Sequence, residues 1–114
     1  MLNVRKLLAV MALIAPLAQA ATPVTLYKSP TCGCCEEYVK YLQANGFDVK
    51  AINSDDMNRI KETNHVGNLG SCHTALINGY VVEGHVPVAA IQKTLKQRPK
   101  IVGISVPGMT TNSP

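Results

Sequence analysis

The sequence predicts a single α/β domain in which helices pack on a mixed four-stranded sheet, in the order strand, helix, strand, helix, strand, strand, helix. Three observations carry this: a helix-period apolar pattern from Cys34, a strand-period alternation over Phe47–Ile52, and an Asn78-Gly79 pair between two apolar runs. At 114 residues the chain is long enough for one domain and short for two.

The elements follow in order. Val24 to Tyr27 is an apolar, β-branched-led stretch and reads as a first strand ending at Lys28, followed by a Ser29-Pro30-Thr31 turn. From Cys34 or Cys35 the apolar positions recur at Tyr38, Tyr41 and Leu42, the spacing of a helix with one buried face. Glu36 and Glu37 suit its first turn, and Asn45-Gly46 closes it. Phe47, Val49 and Ala51 alternate with Asp48 and Lys50 as a second strand. Asn53-Ser54 can cap a second helix over 55–63, with Met57 and Ile60 facing inward as core residues. A glycine-containing loop over 65–71 then leads to Thr74–Ile77, Asn78-Gly79 and Tyr80–Glu83, a hairpin whose Asn-Gly pair favours the positive φ angles of a type I′ turn. Pro87 suits the first position of a last helix with Val88, Ile91 and Leu95 inward, and Pro99 stops it. From about residue 100 to Pro114 the tail shows no period and reads as irregular.

The first twenty residues stand apart from this domain. Arg5 and Lys6, the apolar run Leu7–Leu17 and the small residues of Ala18-Gln19-Ala20 have the form of a cleaved secretory signal, which places the mature chain, 21–114, in the periplasm. No apolar run is long enough to span a bilayer, so no membrane attachment is expected after cleavage. Loss of Arg5 and Lys6 leaves nine basic residues against seven acidic ones, lowering the formal charge from +4 to +2. Such a balance, with Lys93, Lys96 and Arg98 gathered at a helix end, gives no reason to expect a nucleic-acid partner.

The chemistry is concentrated in the cysteines. Cys32, Cys34 and Cys35 fall at the start of the first helix, where free backbone N–H groups and the positive end of the helix dipole favour thiolate over thiol. Glu36 and Glu37 oppose that effect, a tension that a bound cation would relieve. Disulfide stapling is the ordinary use of four cysteines in a small exported domain. A Cys32–Cys35 bridge, however, closes a very short loop and stabilises little. Thiolates with His73, His85 and Met109 in reserve form a soft donor set of the kind that selects Cu(I) and also accepts Zn(II). Structural zinc sites usually employ two Cys-x-x-Cys knuckles, whereas this chain has one, with Cys34 inside it. Adjacent cysteines close a single tetrahedron awkwardly and bridge several monovalent ions more readily. If residue 73 lies in a strand, its side chain points away from that of Cys72. His85 reads as a loop residue, and His65 is expected outside the site.

The strand, the Pro-Thr-Cys turn, the Cys32-x-x-Cys35 helix start and the later hairpin look like a thioredoxin or glutaredoxin fold over about Val24 to Gln97. That resemblance implies that Ser71-Cys72-His73, just before the third strand, lies against the dithiol. The proline such folds carry there is missing, since no proline occurs between Pro30 and Pro87. The stretches "YKSPTCGCCEEYVKYL", "SCHTALINGYVVEGHVP" and "VPGM" resemble more closely the CopG-type family of periplasmic copper-handling proteins. This implies copper binding by Cys32, Cys34, Cys35 and Cys72, other periplasmic copper-handling proteins as partners, and a role in changing the oxidation state of copper. Two alternatives stand beside it: a thiol-disulfide oxidoreductase with Cys32 as nucleophile and Cys35 resolving, and a copper chaperone without turnover.

Overall fold

A computed structural model describes residues 20–108 and 113–114, so the expected signal segment, apart from Ala20, and Met109 lie outside the described residues. Five strands form one mixed sheet in the order β2-β1-β3-β4-β5. They are β1 (Thr22–Lys28), β2 (Phe47–Asn53), β3 (His73–Ile77), β4 (Tyr80–Glu83) and β5 (Gly103–Ser105). The helices are α1 (Gly33–Ala44), α2 (Met57–Thr63) and α3 (Val88–Gln97). Strand β1 runs parallel to β2, as a strand-helix-strand unit requires, and antiparallel to β3.

The expected architecture holds with one correction: the sheet has five strands rather than four, because part of the tail is ordered as β5, parallel to β4 in the register Val82↔Ile104. Gly103 makes this possible, since a Cβ there would collide with the Val81 carbonyl oxygen. The Asn78-Gly79 turn forms as its residues dictate, with φ of 48° and 86°.

Alternation along the strands sorts side chains onto two faces. Val24, Leu26, Ala75, Ile77 and Val82 meet Tyr38 and Leu42 of α1 and Val88 and Ile91 of α3 in the main core. Burial of such side chains at about 25 cal/mol per Å² is what holds the helices to the sheet. Tyr38, fully buried as expected of a core residue, anchors its hydroxyl by donating to the Val86 carbonyl at 2.6 Å.

The second face is covered more thinly by α2, which buries no residue completely. Met57 and Ile60, expected in the core, are half-buried instead. An open cavity of about 400 Å3 beside Tyr27, Ile60 and Leu76 shows why: this short helix does not close down on the sheet. Its cap also differs from the expected Asn53-Ser54. Asp56 accepts the Arg59 amide at 3.3 Å, while Ser54 accepts the Asp56 amide one turn earlier. Pro87, expected as the first residue of the last helix, stands one place earlier as its N-cap.

Candidate metal centre

Helix α1 begins at Gly33 with Cys32 as its N-cap, so all three clustered cysteines sit in or beside its first turn. Their sulfurs lie within 4.8 Å of one another. Cys32 and Cys35 are joined by a disulfide, and the exposed Cys34 places its sulfur 3.2 Å from that of Cys32. In this state the pair cannot offer thiolates; two electrons would convert it to two ligands. Cys35 is fully buried against the core, so the cluster is fixed from below and open from above.

The fourth cysteine arrives from the far segment. Cys72 precedes β3, is exposed, and lines with Cys32 and Cys34 an open cavity of about 560 Å3 whose far wall carries Met57 and Lys61. Partial burial pushes the Cys72 thiol up, and the Cys34 thiol adds to this by its charge and as a hydrogen-bond partner. Lys61 acts in the opposite sense. A smaller cavity of about 150 Å3, bounded by Cys34, Cys72, His85 and Gly108, opens on the other side.

The histidines divide. His73 turns away from Cys72, as strand alternation requires, and is fully buried with its ring stacked on Tyr38 at 4.9 Å. Its Nε2 faces the Gly84 carbonyl at 3.0 Å; a carbonyl can only accept, so Nε2 carries the proton. The Nδ1 lone pair is then buried without a hydrogen-bond partner. Burial, reinforced by His85, lowers the His73 pKa to about 4, so the ring is neutral near pH 7. His85 is also buried, with its ring 4.8 Å from that of Tyr38 and 5.3 Å from that of His73, so the three rings form one cluster. It donates Nδ1–H to the Pro114 backbone oxygen at 2.9 Å, which leaves its Nε2 as the free donor atom on a residue bordering the smaller cavity. His65 is exposed and borders a separate apolar groove that no cysteine lines.

Two features escaped the sequence reading. Met57 brings a thioether to the cavity wall, where helical periodicity alone assigned it to the core. Beneath Cys72 lies a buried ion pair between Lys61 and Glu83. Its only sequence signal is an acidic residue closing an otherwise apolar strand.

Together the sheet order, the three clustered cysteines at a helix start and the Cys72 thiol across the same cavity define a thioredoxin-like domain that carries a three-sulfur cluster. Two solved structures, forms 2 and 1 of a copper resistance protein CopG, match this chain at 43% identity with TM-scores of 0.77 and 0.76. Each match covers 82% of this chain, and 76% and 75% of the respective relative. The chain belongs to the CopG copper resistance family, as "CGCC" and "SCHT" led one to expect. Residues 69–114 also match a family described as "Protein of unknown function, DUF411". A search of curated proteins finds no match.

Proposed function

We propose that this protein binds copper in the periplasm as part of copper resistance, holding Cu(I) through Cys32, Cys34, Cys35 and Cys72 in a thiolate-bridged, multinuclear site. The observation that carries the reading is the grouping of three sulfurs within 4.8 Å, with a fourth thiol facing Cys34. Sulfurs packed this closely suit bridging better than one separate tetrahedral corner each, and thiolate softness favours Cu(I). The names of the structural relatives support copper in particular. His85 borders the cavity with its Nε2 free and is the better placed of the two histidines to supplement the sulfurs; Met109 remains a candidate on its thioether chemistry alone. Cycling between Cu(I) and Cu(II), with one electron per ion passed to or taken from an external one-electron carrier, and exchange of copper with other periplasmic copper-handling proteins extend the same reading.

The test is metal analysis of mature protein taken from the periplasm without added metal, joined to anaerobic Cu(I) titration of the reduced protein. More than one copper per chain is expected, with weaker binding in each single Cys→Ser variant. Zinc at one ion per chain would overturn the proposal, and N-terminal sequencing that does not begin at Ala21 would overturn the export step.

The Cys32–Cys35 disulfide supports a second reading, thiol-disulfide exchange, in which a substrate disulfide is attacked by Cys32 and released by Cys35. Under it, insulin reduction is lost in Cys32→Ser and survives in Cys34→Ser and Cys72→Ser.

A further inference from the structure

We propose that the buried Lys61–Glu83 pair positions Cys72 against the α1 thiols, so that both residues act in metal capture without touching the metal; this rests on the four-cysteine copper reading above. Glu83 closes β4 on the face covered by α2, directly across the ladder from Thr74, and is 2% exposed. Its Oε1 accepts the Ser71 amide at 2.8 Å and the charge-assisted bond from Lys61 Nζ, with the Ser71 hydroxyl 3.1 Å away. Its Oε2 accepts from the Thr74 hydroxyl at 2.7 Å. Lys61 reaches on to the Thr74 hydroxyl at 3.0 Å and the His73 carbonyl at 3.3 Å. Residues 71, 73 and 74 are thus all tied to one ion pair, while the side chain between them, Cys72, is left exposed toward the cavity.

Two physical arguments give this arrangement a purpose beyond holding the fold together. A buried ion pair gains little net stability, because desolvating two charges offsets their attraction; an apolar pair of similar size would serve the core as well or better. What the pair supplies is direction, since a carboxylate takes several bonds at fixed angles. The segment it holds needs direction from outside: between α2 and β3 it contains Gly67, Gly70 and a short 3-10 turn, and it has no strand neighbour of its own. Left to hydrophobic packing, the exposed Cys72 would sample many orientations.

The experiment compares the mature wild-type chain with Glu83→Gln and with the double variant Lys61→Met/Glu83→Leu, whose apolar pair is expected to keep or raise the melting temperature while releasing the Ser71 amide. Cu(I) affinity is read by competition against bathocuproine disulfonate, with Cys72→Ser as reference. Both variants are expected to lose about tenfold or more, as removal of groups that orient a ligand usually does. The same substitutions are made in a Cys32→Ser/Cys35→Ser background without metal, and the rate at which dibromobimane bridges Cys34 to Cys72 is followed by mass spectrometry. That rate is expected to fall in step. A double variant that melts like wild type and both binds Cu(I) and cross-links at the wild-type level overturns the proposal. If Cys72→Ser itself binds Cu(I) as wild type does, the four-cysteine reading is what fails, and the cross-linking rate alone then decides whether the pair positions Cys72.

Discussion

His73 shows how one side chain can be adjacent to a functional residue and yet belong to the core. Its backbone follows Cys72, but its ring is fully buried on Tyr38 with a pKa lowered to about 4 from the ordinary 6.5. Between those values the unfolded chain binds more protons than the folded one, so the contribution of neutral His73 is complete above about pH 6.5 and is lost as pH falls toward 4. The expected effect in the metal-free protein is on the order of 2–3 kcal/mol, visible as a fall in urea midpoint over that range. In His73→Gln that portion of the pH dependence should flatten. A wild-type midpoint that does not move more steeply than the variant's would contradict the placement of the ring. The exposed Lys40–Glu37 pair, by contrast, merits no prediction; ion pairs of that kind contribute little.

At the scale of elements, β5 is the informative case. Gly103-Ile104-Ser105 is too short for a strand period, and its pairing with β4 depends on a glycine lying against the Val81 carbonyl. Gly103→Ala is expected to lift β5 from the sheet at a cost of roughly 1–3 kcal/mol, seen as new tryptic cleavage after Lys100 while α1 and the Asn78-Gly79 hairpin stay protected. Unchanged cleavage and an unchanged melting temperature would show that the contact is not tight. The longer elements were legible in advance because their signals are local: Tyr38, Tyr41 and Leu42 mark one face of α1, and Asn78-Gly79 marks its turn by the φ angles it accepts. Helix α2 was legible as a helix but not in its packing. Periodicity says which face turns inward, not how closely the sheet lies beneath it, and Met57 ended at a cavity wall for that reason.

For the whole molecule, the proposed four-cysteine site implies a coupling between metal and fold, because it joins α1 to the Cys72 segment. A ligand held by two segments some forty residues apart stabilises only the folded chain. Under the copper reading, Cu(I) in excess of its dissociation constant by a factor of 1,000 is expected to add about 4 kcal/mol to the reduced protein. The gain should reverse on chelation and shrink in Cys72→Ser, both measurable by denaturant unfolding under anaerobic conditions. Equal gains in wild type and Cys72→Ser would mean that the α1 thiols bind alone.

The sequence by itself determined the element order, the turn chemistry and the presence of three soft donors at one helix start, because each depends on neighbours a few positions away. Only the tertiary structure decided that Cys72 faces Cys34, that His73 is core while His85 borders a cavity, and that Lys61 and Glu83 meet beneath the thiol. Those facts follow from strand register, which sets Glu83 across from Thr74, and from the seat of α2, which brings Lys61 to both, although nothing in their local spacing requires it. A charged residue such as Glu83 looks solvated in a sequence until the ladder sets a hydroxyl across from it and a helix brings an ammonium onto its carboxylate.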